Sequence, residues 1–497
     1  MPERPLLVVT LTSRSLGPTA HEIEDVVLQG AEVAEVRFDR WTPSDLDRAG
    51  ELLPSKIPLL ATYRSRSQGG EGTDAPEARL ARLRKLSRLP FAYLDVEVQS
   101  DGALLEELSA RPPSARLVLS HHAPSTNATE LRGLAQLSRP LPDAILKVAV
   151  EARTSEAIQV VLPIARELPR PFVAMTVGPS GPLFRAWSAR LGCALVFCAP
   201  SSEGFAARVE SSQLPVDLLR RFLLGDANAP LFAVVGNPVT HSRSPDLHNA
   251  WIEADGRQGI YLALGVRDDE ELREVASSLA GLGFRGLNVT HPLKFGALRL
   301  ADESGPEAIA AGCANTLTFQ SGTIRADNTD VIAVRRRLLE IESSRLRLGR
   351  VTIIGTGGAA RATLVAASDL GIPTEILGRD GFRVAHMARE FGAEVGSPGD
   401  GSHASLIVQA TPVGRQGAGS LPWTLQGRVG AGTHVVDFVY GADDPTLASQ
   451  IRQWGGTYED GRRLLVYQAA ASYERWWGAP PGADQVARAL EVASCGE

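Results

Sequence analysis

The sequence predicts an α/β protein: an N-terminal (β/α)8 TIM barrel followed by a second α/β unit with a Rossmann-type nucleotide-binding turn. Three observations carry this. Between residues 6 and 224 a short β-rich run, a turn and an amphipathic stretch recur eight times, the repeat of a (β/α)8 barrel. Further on, the buried-strand pattern Val351-Thr352-Ile353-Ile354 runs into Gly355-Thr356-Gly357-Gly358-Ala359-Ala360-Arg361, which opens a helix. Between the two lies Leu224-Gly225-Asp226-Ala227-Asn228-Ala229-Pro230, small, polar and closed by proline, as a linker is. With 497 residues the chain exceeds one ordinary core, so several domains are expected.

Composition narrows the function classes. The net charge of −6 comes from interspersed signs, which leaves no basic stripe for nucleic acid. No apolar run reaches membrane-spanning length, and Met1-Pro2-Glu3-Arg4-Pro5 lacks the form of a signal peptide. Cys193, Cys198, Cys313 and Cys495 show neither C-x-x-C spacing nor histidines at zinc spacing. A cytoplasmic protein with reduced thiols, no metal and small-molecule partners is the expectation; oligomeric state has no signature here.

In the first half the expected strands are 6–11, 34–38, 58–63, 92–98, 116–120, 144–150, 172–177 and 194–197, with helices at 21–30, 76–88, 154–168 and 215–224 among those between and after them. Barrel chemistry gathers at the C-terminal strand ends. Polar residues fall there: Glu35 and Arg37 on the second strand, Arg64 after the third, Asp95 and Glu97 on the fourth, His122 after the fifth. Met175 and Thr176 close the seventh, with Arg185 beyond.

Lys147 interrupts an apolar strand between Leu146 and Val148. Facing inward, it would be desolvated toward the neutral amine, the form that attacks a ketone to give a Schiff base. Facing the helices, it would only run its stem out to solvent. His122 on the neighbouring strand favours the first reading, because an imidazole can remove and return protons near neutral pH.

With these residues in view, the half resembles the type I 3-dehydroquinate dehydratases over residues 6–224. The matching pieces are Glu35-Val36-Arg37-Phe38-Asp39, Thr62-Tyr63-Arg64, Asp95-Val96-Glu97, Ser120-His121-His122, Leu146-Lys147 and Met175-Thr176 followed by Arg185. The resemblance implies Lys147 as the Schiff-base lysine and His122 as general acid and base. It implies Arg185 on the substrate carboxylate, and Glu35, Arg37, Arg64 and Gln213 in the hydroxyl-binding shell. Two departures stand out. Gln68-Gly69-Gly70 replaces the usual Glu-Gly-Gly, leaving Glu71 just past the glycines, and segment 199–212 lacks the usual run before Gln213. A glutamine cannot stabilise an imidazolium by charge, which predicts a slower dehydratase.

In the second half three polar signals fall in a fixed order: Asn288-Val289-Thr290-His291-Pro292-Leu293-Lys294, Cys313-Ala314-Asn315-Thr316 and Asp327-Asn328-Thr329-Asp330. At the ends of short apolar runs, such side chains leave the core for a cleft. Lys294 and Asp330 suit a proton-handling pair beside a polyhydroxy substrate, with Asn288, Thr290 and Asn315 as hydroxyl binders. An ordinary ion pair with turn residues is the plain alternative, disfavoured by three signals upstream of a nucleotide turn.

From Phe232 to about Pro481 the chain resembles shikimate dehydrogenase, beginning with Gly236-Asn237-Pro238 and His241-Ser242-Arg243-Ser244-Pro245. The resemblance implies a two-lobed α/β dehydrogenase in which Ser242 and Ser244 bind the substrate carboxylate; Ser244 is also a candidate helix N-cap. It implies Lys294 and Asp330 as the catalytic pair, Asn315 as a substrate ligand, and Tyr440 and Gln468 near the substrate. Gln409-Ala410-Thr411-Pro412-Val413-Gly414 resembles the loop over the cofactor, and Asp460-Gly461 begins the segment ending in Gln468. Val331, Arg463 and Leu464 depart from the common Gly, Gly and Met.

The glycine-rich turn brings Gly355, Gly357, Gly358 and Ala359 to a pyrophosphate. The next strand ends in Gly378-Arg379-Asp380, with Arg383 one turn on. The arginines favour the 2′-phosphate of NADP, and an Asp380 facing the site would oppose it and leave NAD as the alternative. The expected domains are a barrel at 1–224, a linker at 225–230, a substrate lobe at 231–334 completed by helices in 465–497, and a nucleotide lobe at 335–464. Together the halves imply dehydration of 3-dehydroquinate to 3-dehydroshikimate, then NADPH-dependent reduction to shikimate. The alternatives are a quinate- or shikimate-binding regulator, which should lack Lys147, His122, Lys294 or Asp330, and a quinate dehydrogenase.

Overall fold

Short aliphatic runs bounded by turns pair in the order in which they occur, and the first eight close on themselves. They are β1 (Leu6–Thr10), β2 (Val33–Arg37), β3 (Leu59–Thr62), β4 (Tyr93–Glu97), β5 (Arg116–Ala123), β6 (Ile145–Glu151), β7 (Phe172–Val177) and β8 (Leu195–Cys198). All pairs are parallel in the order β7-β6-β5-β4-β3-β2-β1-β8, and Ala194 N–H donating to Phe172 O (2.8 Å) bridges the remaining seam of this near-closed barrel. The computed structural model describes residues 4–494 apart from 74, 111, 138–140, 142, 202–211, 344–347, 398–403, 415–420, 422–423 and 442–445. Most of the loop 199–212 and Cys495 therefore lie outside the described residues.

Side chains alternate across a strand. Val8, Leu60, Val118, Ile145, Ala149 and Val173 fill the barrel interior, whereas Leu7, Val9, Leu146 and Val148 join the core under the helices. Lys147, between Ile145 and Ala149 on the inner face of β6, therefore points into the barrel.

Three expectations need correction. The helix expected at 21–30 spans Leu16–Leu28, because Pro18 is tolerated within a first helical turn and does not delay the start. β5 runs on to Ala123, pairing His122 with Ala149 of β6, so His122 lies within the strand rather than after it. The helix expected at 154–168 is Thr154–Glu156, a wide π turn Ala157–Val161 and then Leu162–Glu167. Pro163 is the physical reason, because it lacks an N–H and its ring crowds the preceding turn.

A second sheet follows, with β9 (Leu231–Gly236), β10 (Ile260–Gly265), β11 (Phe284–Val289), β12 (Glu303–Ser304), β13 (Thr316–Gln320) and β14 (Thr323–Asp327) in the order β10-β9-β11-β13-β14-β12. It meets the barrel directly. Trp187 Nε1 donates to Leu282 O (3.0 Å), and Arg190 donates to the carbonyls of Ala227, Ala229 and Leu282 at 2.7–3.0 Å. One apolar core runs without a break from Leu7 of the barrel to Ala326 of this sheet.

The third sheet is parallel: β15 (Val351–Ile354), β16 (Thr374–Leu377), β17 (Glu394–Val395), β18 (Leu406–Gln409), β19 (His434–Asp437) and β20 (Thr457–Glu459), ordered β17-β16-β15-β18-β19-β20. The order turns about β15, and the crevice at its carboxyl end is where such sheets bind ligands. Helix Arg462–Trp477 packs on helix Thr329–Ser343 and sends Val466, Tyr473 and Trp476 into the core of the second sheet. Among the described residues no helix is long and apolar enough to cross a membrane.

Candidate active sites

Inside the barrel, polar residues at alternate positions on neighbouring strands converge. Lys147 Nζ lies 3.5 Å from Asp95 Oδ2, 3.9 Å from Glu35 Oε1 and 4.0 Å from the centroid of the Phe197 ring. Arg64 donates to Asp95 Oδ2 (2.8 Å) and Ser120 Oγ (2.7 Å), while Glu35 accepts from Thr10 and Thr62 at 2.7 and 2.8 Å. Burial lowers the Lys147 pKa, and the Asp95 and Glu35 charges only partly oppose it. Burial also pushes the Asp95 carboxyl up, but Arg64 and Lys147 outweigh it and hold Asp95 ionised. His122 is driven well below the ordinary imidazole value by burial first and then by the Arg64 and Lys147 charges. The site thus places a depressed imidazole near a lysine whose burial disfavours its charged form.

Gln68 orients His122 twice. Its side-chain Oε1 accepts the His122 backbone N–H, and its backbone carbonyl meets His122 Nδ1, both at 3.0 Å. This loop folds back over Arg64 so closely that a Cβ at Gly70 would lie 2.3 Å from Arg64 O. Glu71 does not replace the missing carboxylate: it turns outward to Arg14 (2.8 Å) and Arg40 (3.5 Å). Among the other expected residues, Arg37 is forked onto Asp39 with both bonds at 2.8 Å. Arg185 is buried and donates to Thr176 O, Gly181 O and Phe197 O, and Gln213 Nε2 donates to Thr10 Oγ1 (3.4 Å).

Between the second and third sheets lies a cleft of about 510 Å³. It brings together Lys294, Asp330, Ser242, Ser244, Thr290 and Asn288 with Asn315, Tyr440 and Gln468. Gly355, Gly357, Gly358, Ala359, Thr411 and Gly461 line it too, as do Arg379 and Arg383. Lys294 Nζ donates to Asp330 Oδ2 (2.6 Å), placing an exchangeable proton between an amine and a carboxylate at the cleft wall. Asn315 Oδ1 accepts from Thr329 N (2.7 Å), which leaves its amide nitrogen toward Gln468 Oε1 (3.5 Å). Ser244 is the first helical residue and caps nothing; its own N–H donates to Ser242 Oγ (3.3 Å), which corrects its reading as an N-cap.

The glycine turn fits a dinucleotide. Gly355 sits at φ +122°, where a Cβ would meet Ala410 O at 2.9 Å, and no side chain caps helix Gly358–Asp369, so its first N–H groups are open to an anion. Asp380 lines the cleft beside Arg379 and Arg383: its Oδ1 caps the next helix, accepting from Phe382 N (3.0 Å) and Arg383 N (3.1 Å), and its other oxygen lies 3.4 Å from Arg383 Nε. Among the described residues no cluster of His, Cys, Asp or Glu could hold a metal ion.

Sequence reasoning missed the groups that hold these side chains in place. Tyr261 OH donates to Asn288 Oδ1 (2.7 Å) and Asn288 Nδ2 to Ser472 Oγ (2.8 Å), fixing that amide from both sides. Asp437, raised by burial to about 7, accepts from Val439 N (2.8 Å), Tyr458 OH (2.9 Å) and Gln409 Nε2 (3.3 Å), joining the loops that carry Tyr440 and Thr411. Asp437 had a visible signal, as an acidic residue ending an apolar strand; Tyr261 and Ser472 had none.

Fold and sites define the class: a (β/α)8 barrel enzyme joined to a two-lobed dinucleotide oxidoreductase. Residues 7–225 match the type I 3-dehydroquinase family and residues 234–317 the shikimate dehydrogenase substrate binding domain. Shikimate dehydrogenase (NADP(+)) of Dinoroseobacter shibae is 35% identical over 277 residues, covering 54% of this chain and 99% of that protein. The Paracoccus denitrificans enzyme is 36% identical over 277 residues, covering 54% and 97%. Among solved structures, the Thermus thermophilus shikimate 5-dehydrogenase complex with NADP(H) and shikimate is 30% identical, covers 53% of this chain and 99% of its own, and has a TM-score of 0.48. Dehydroquinate dehydratase and shikimate dehydrogenase from S. pombe, at 22% identity and a TM-score of 0.43, covers 98% of both chains.

The chain belongs to the shikimate dehydrogenase family and carries a type I 3-dehydroquinase domain ahead of that part. It is a bifunctional shikimate-pathway enzyme, a lyase followed by an oxidoreductase.

Proposed function

We propose that the barrel dehydrates 3-dehydroquinate through Lys147 and that the second half reduces the product, 3-dehydroshikimate, with Lys294 and Asp330 handling the proton. The observation that carries the reading is the pair of amines, one buried in the barrel and one at the cleft wall. Lys147 is enclosed beside Asp95 and Glu35, and Lys294 is bonded to Asp330 across from a glycine turn.

In the barrel, the Lys147 amine attacks the ketone and water leaves, forming an iminium that acidifies the adjacent C–H. Neutral His122 takes that proton, the C–O bond breaks and the hydroxyl departs as water with His122 returning the proton. Hydrolysis then frees Lys147. Arg185 holds the carboxylate, and Glu35, Arg37, Arg64 and Gln213 set the hydroxyl-binding shell.

In the cleft, Ser242 and Ser244 hold the substrate carboxylate, and Asn288, Thr290, Asn315, Tyr440 and Gln468 its ring hydroxyls. Gly355, Gly357, Gly358, Ala359, Thr411 and Gly461 shape the dinucleotide pocket, with Arg379 and Arg383 on the 2′-phosphate of NADP. When bound, NADPH supplies a hydride for the ketone carbon. Lys294 delivers the proton to the ketone oxygen, and Asp330 keeps the ammonium oriented. We assign the barrel to 1–224, a linker to 225–230, the substrate lobe to 231–334 with 465–497, and the nucleotide lobe to 335–464. The buried thiols Cys193, Cys198 and Cys313 suit the cytoplasm.

Borohydride reduction in the presence of 3-dehydroquinate, followed by peptide mass mapping, tests the barrel reading. The expected adduct is on Lys147 and is lost in Lys147→Ala, while NADP-linked shikimate oxidation survives in that variant. A wild-type chain that stays unmodified sinks the Schiff-base assignment. Faster oxidation of quinate than of shikimate sinks the substrate assignment of the second half.

A further inference from the structure

The contact between the two halves falls on the rim of the barrel site. Lys147 lies on β6, and the segment just after that strand is bound by the second half. Thr154 Oγ1 donates to Gly265 O (2.7 Å), and Ser155 donates through its N–H (3.2 Å) and Oγ (3.0 Å) to Glu271 Oε1. The rim segment after β7 is held likewise. Pro179 packs on Gly265, where a Cβ would come within 2.4 Å of the proline ring, and Ser180 Oγ donates to Ala152 O (2.8 Å), tying the two rim segments together. Gly181, next in the chain, offers its carbonyl to Arg185 NH1 (3.0 Å).

Glu271 is 3% exposed and belongs to helix Asp269–Gly281 of the second half. Its Oε2 accepts from Arg267 N (2.9 Å), so one carboxylate joins its own helix start to the barrel loop. Such a buried carboxylate fixes its donors firmly, because charge-assisted bonds away from water are strong and leaving it without them is costly. The halves are held together elsewhere by Trp187 and Arg190, so attachment does not require Glu271.

We infer that Glu271, a residue of the dehydrogenase half, is a positioning residue for the dehydratase reaction: with Gly265 it fixes the two rim segments that set Lys147 and Arg185, so that the second half completes the barrel's site. The inference rests on the barrel reading above. Its consequence falls mainly on the barrel, since the Glu271 carboxylate bonds to Ser155 and Arg267 and not to the cleft residues Lys294 and Asp330.

The test uses the full chain with Glu271→Gln, and with Ser155→Ala, which leaves the capping of the Asp269–Gly281 helix intact. Dehydratase kcat/KM is expected to fall on the order of tenfold, mainly through KM because Arg185 shifts from the substrate carboxylate. NADP-linked shikimate oxidation should stay within about twofold of wild type. Amide exchange should quicken at residues 153–156 and 178–182 and not across β15 and β18. Equal loss of both activities with a lowered melting temperature would mean that Glu271 merely holds the fold, which overturns the inference. So would unchanged exchange and unchanged dehydratase kinetics in both variants. Should the wild type show no dehydratase activity, the barrel reading fails, and the exchange pattern alone still decides whether Glu271 fixes the rim.

Discussion

Single residues decide how protons move in each site, and Gln68 is the clearest case. It orients His122 through neutral groups: the hydrogen bond to its backbone carbonyl raises the imidazole, but burial and the Arg64 and Lys147 charges outweigh it. A base must be unprotonated, and His122 protonates only well below its ordinary value of 6.5. The dehydratase should therefore keep its kcat/KM well into acid. Gln68→Glu brings a negative charge to the ring, raises that pKa and moves the acid limb to higher pH; an unmoved pH–rate profile would show that Gln68 acts through its backbone alone. The inward face of Lys147 was readable from its place between Ile145 and Ala149, because strand periodicity is a local property. Gln68's use of its backbone carbonyl was not, since that depends on how the glycines beyond it fold over Arg64. The network of Tyr261, Asn288 and Ser472 was equally hidden: its members lie far apart along the chain, and only the packing of helix Arg462–Trp477 on β11 and β13 unites them.

At the scale of elements, that same helix presses on β11 so tightly that Gly286 has no room for a side chain. A Cβ there would lie 2.0 Å from Trp476 Nε1, which donates to Leu317 O (3.1 Å). Gly286→Ala should cost about 1–3 kcal/mol in urea unfolding, and a loss under about 0.5 kcal/mol would mean that the helix yields. Beside it, His248 stacks flat on Tyr261 with ring centroids 4.3 Å apart, and burial lowers its pKa to about 3. The unfolded chain takes up this proton near pH 6.5 and the folded chain does not, so the stabilising contribution is complete above 6.5 and is lost as pH falls toward 3. His248→Phe should remove roughly 1–2 kcal/mol of the stability loss between about pH 6.5 and about pH 5, measured by urea titration. Element boundaries were legible to within a residue or two except where tertiary pairing lengthened β5, where Pro163 widened a helix and where the first helix starts at Leu16 rather than at 21.

Over the whole molecule, the apolar core that unites the barrel with the second sheet makes them one cooperative body. Heat should abolish dehydratase and dehydrogenase activities along one curve, and Trp187→Ala, which removes a buried ring and its bond to Leu282 O, should split that curve in two. A wild type whose activities already part on heating would refute the shared core. How the halves meet was beyond the sequence, because complementarity between two distant surfaces leaves no periodic trace in either. The two lobes of the oxidoreductase meet more intimately still. Gly358, in the nucleotide turn, lies flush against the stem of Lys294, where a Cβ would stand 3.0 Å from Lys294 Cδ. Any chimera that grafts a foreign Rossmann lobe onto this scaffold must therefore bring a glycine to that point. A bulkier graft would bind its coenzyme and yet stall, its proton donor levered out of line.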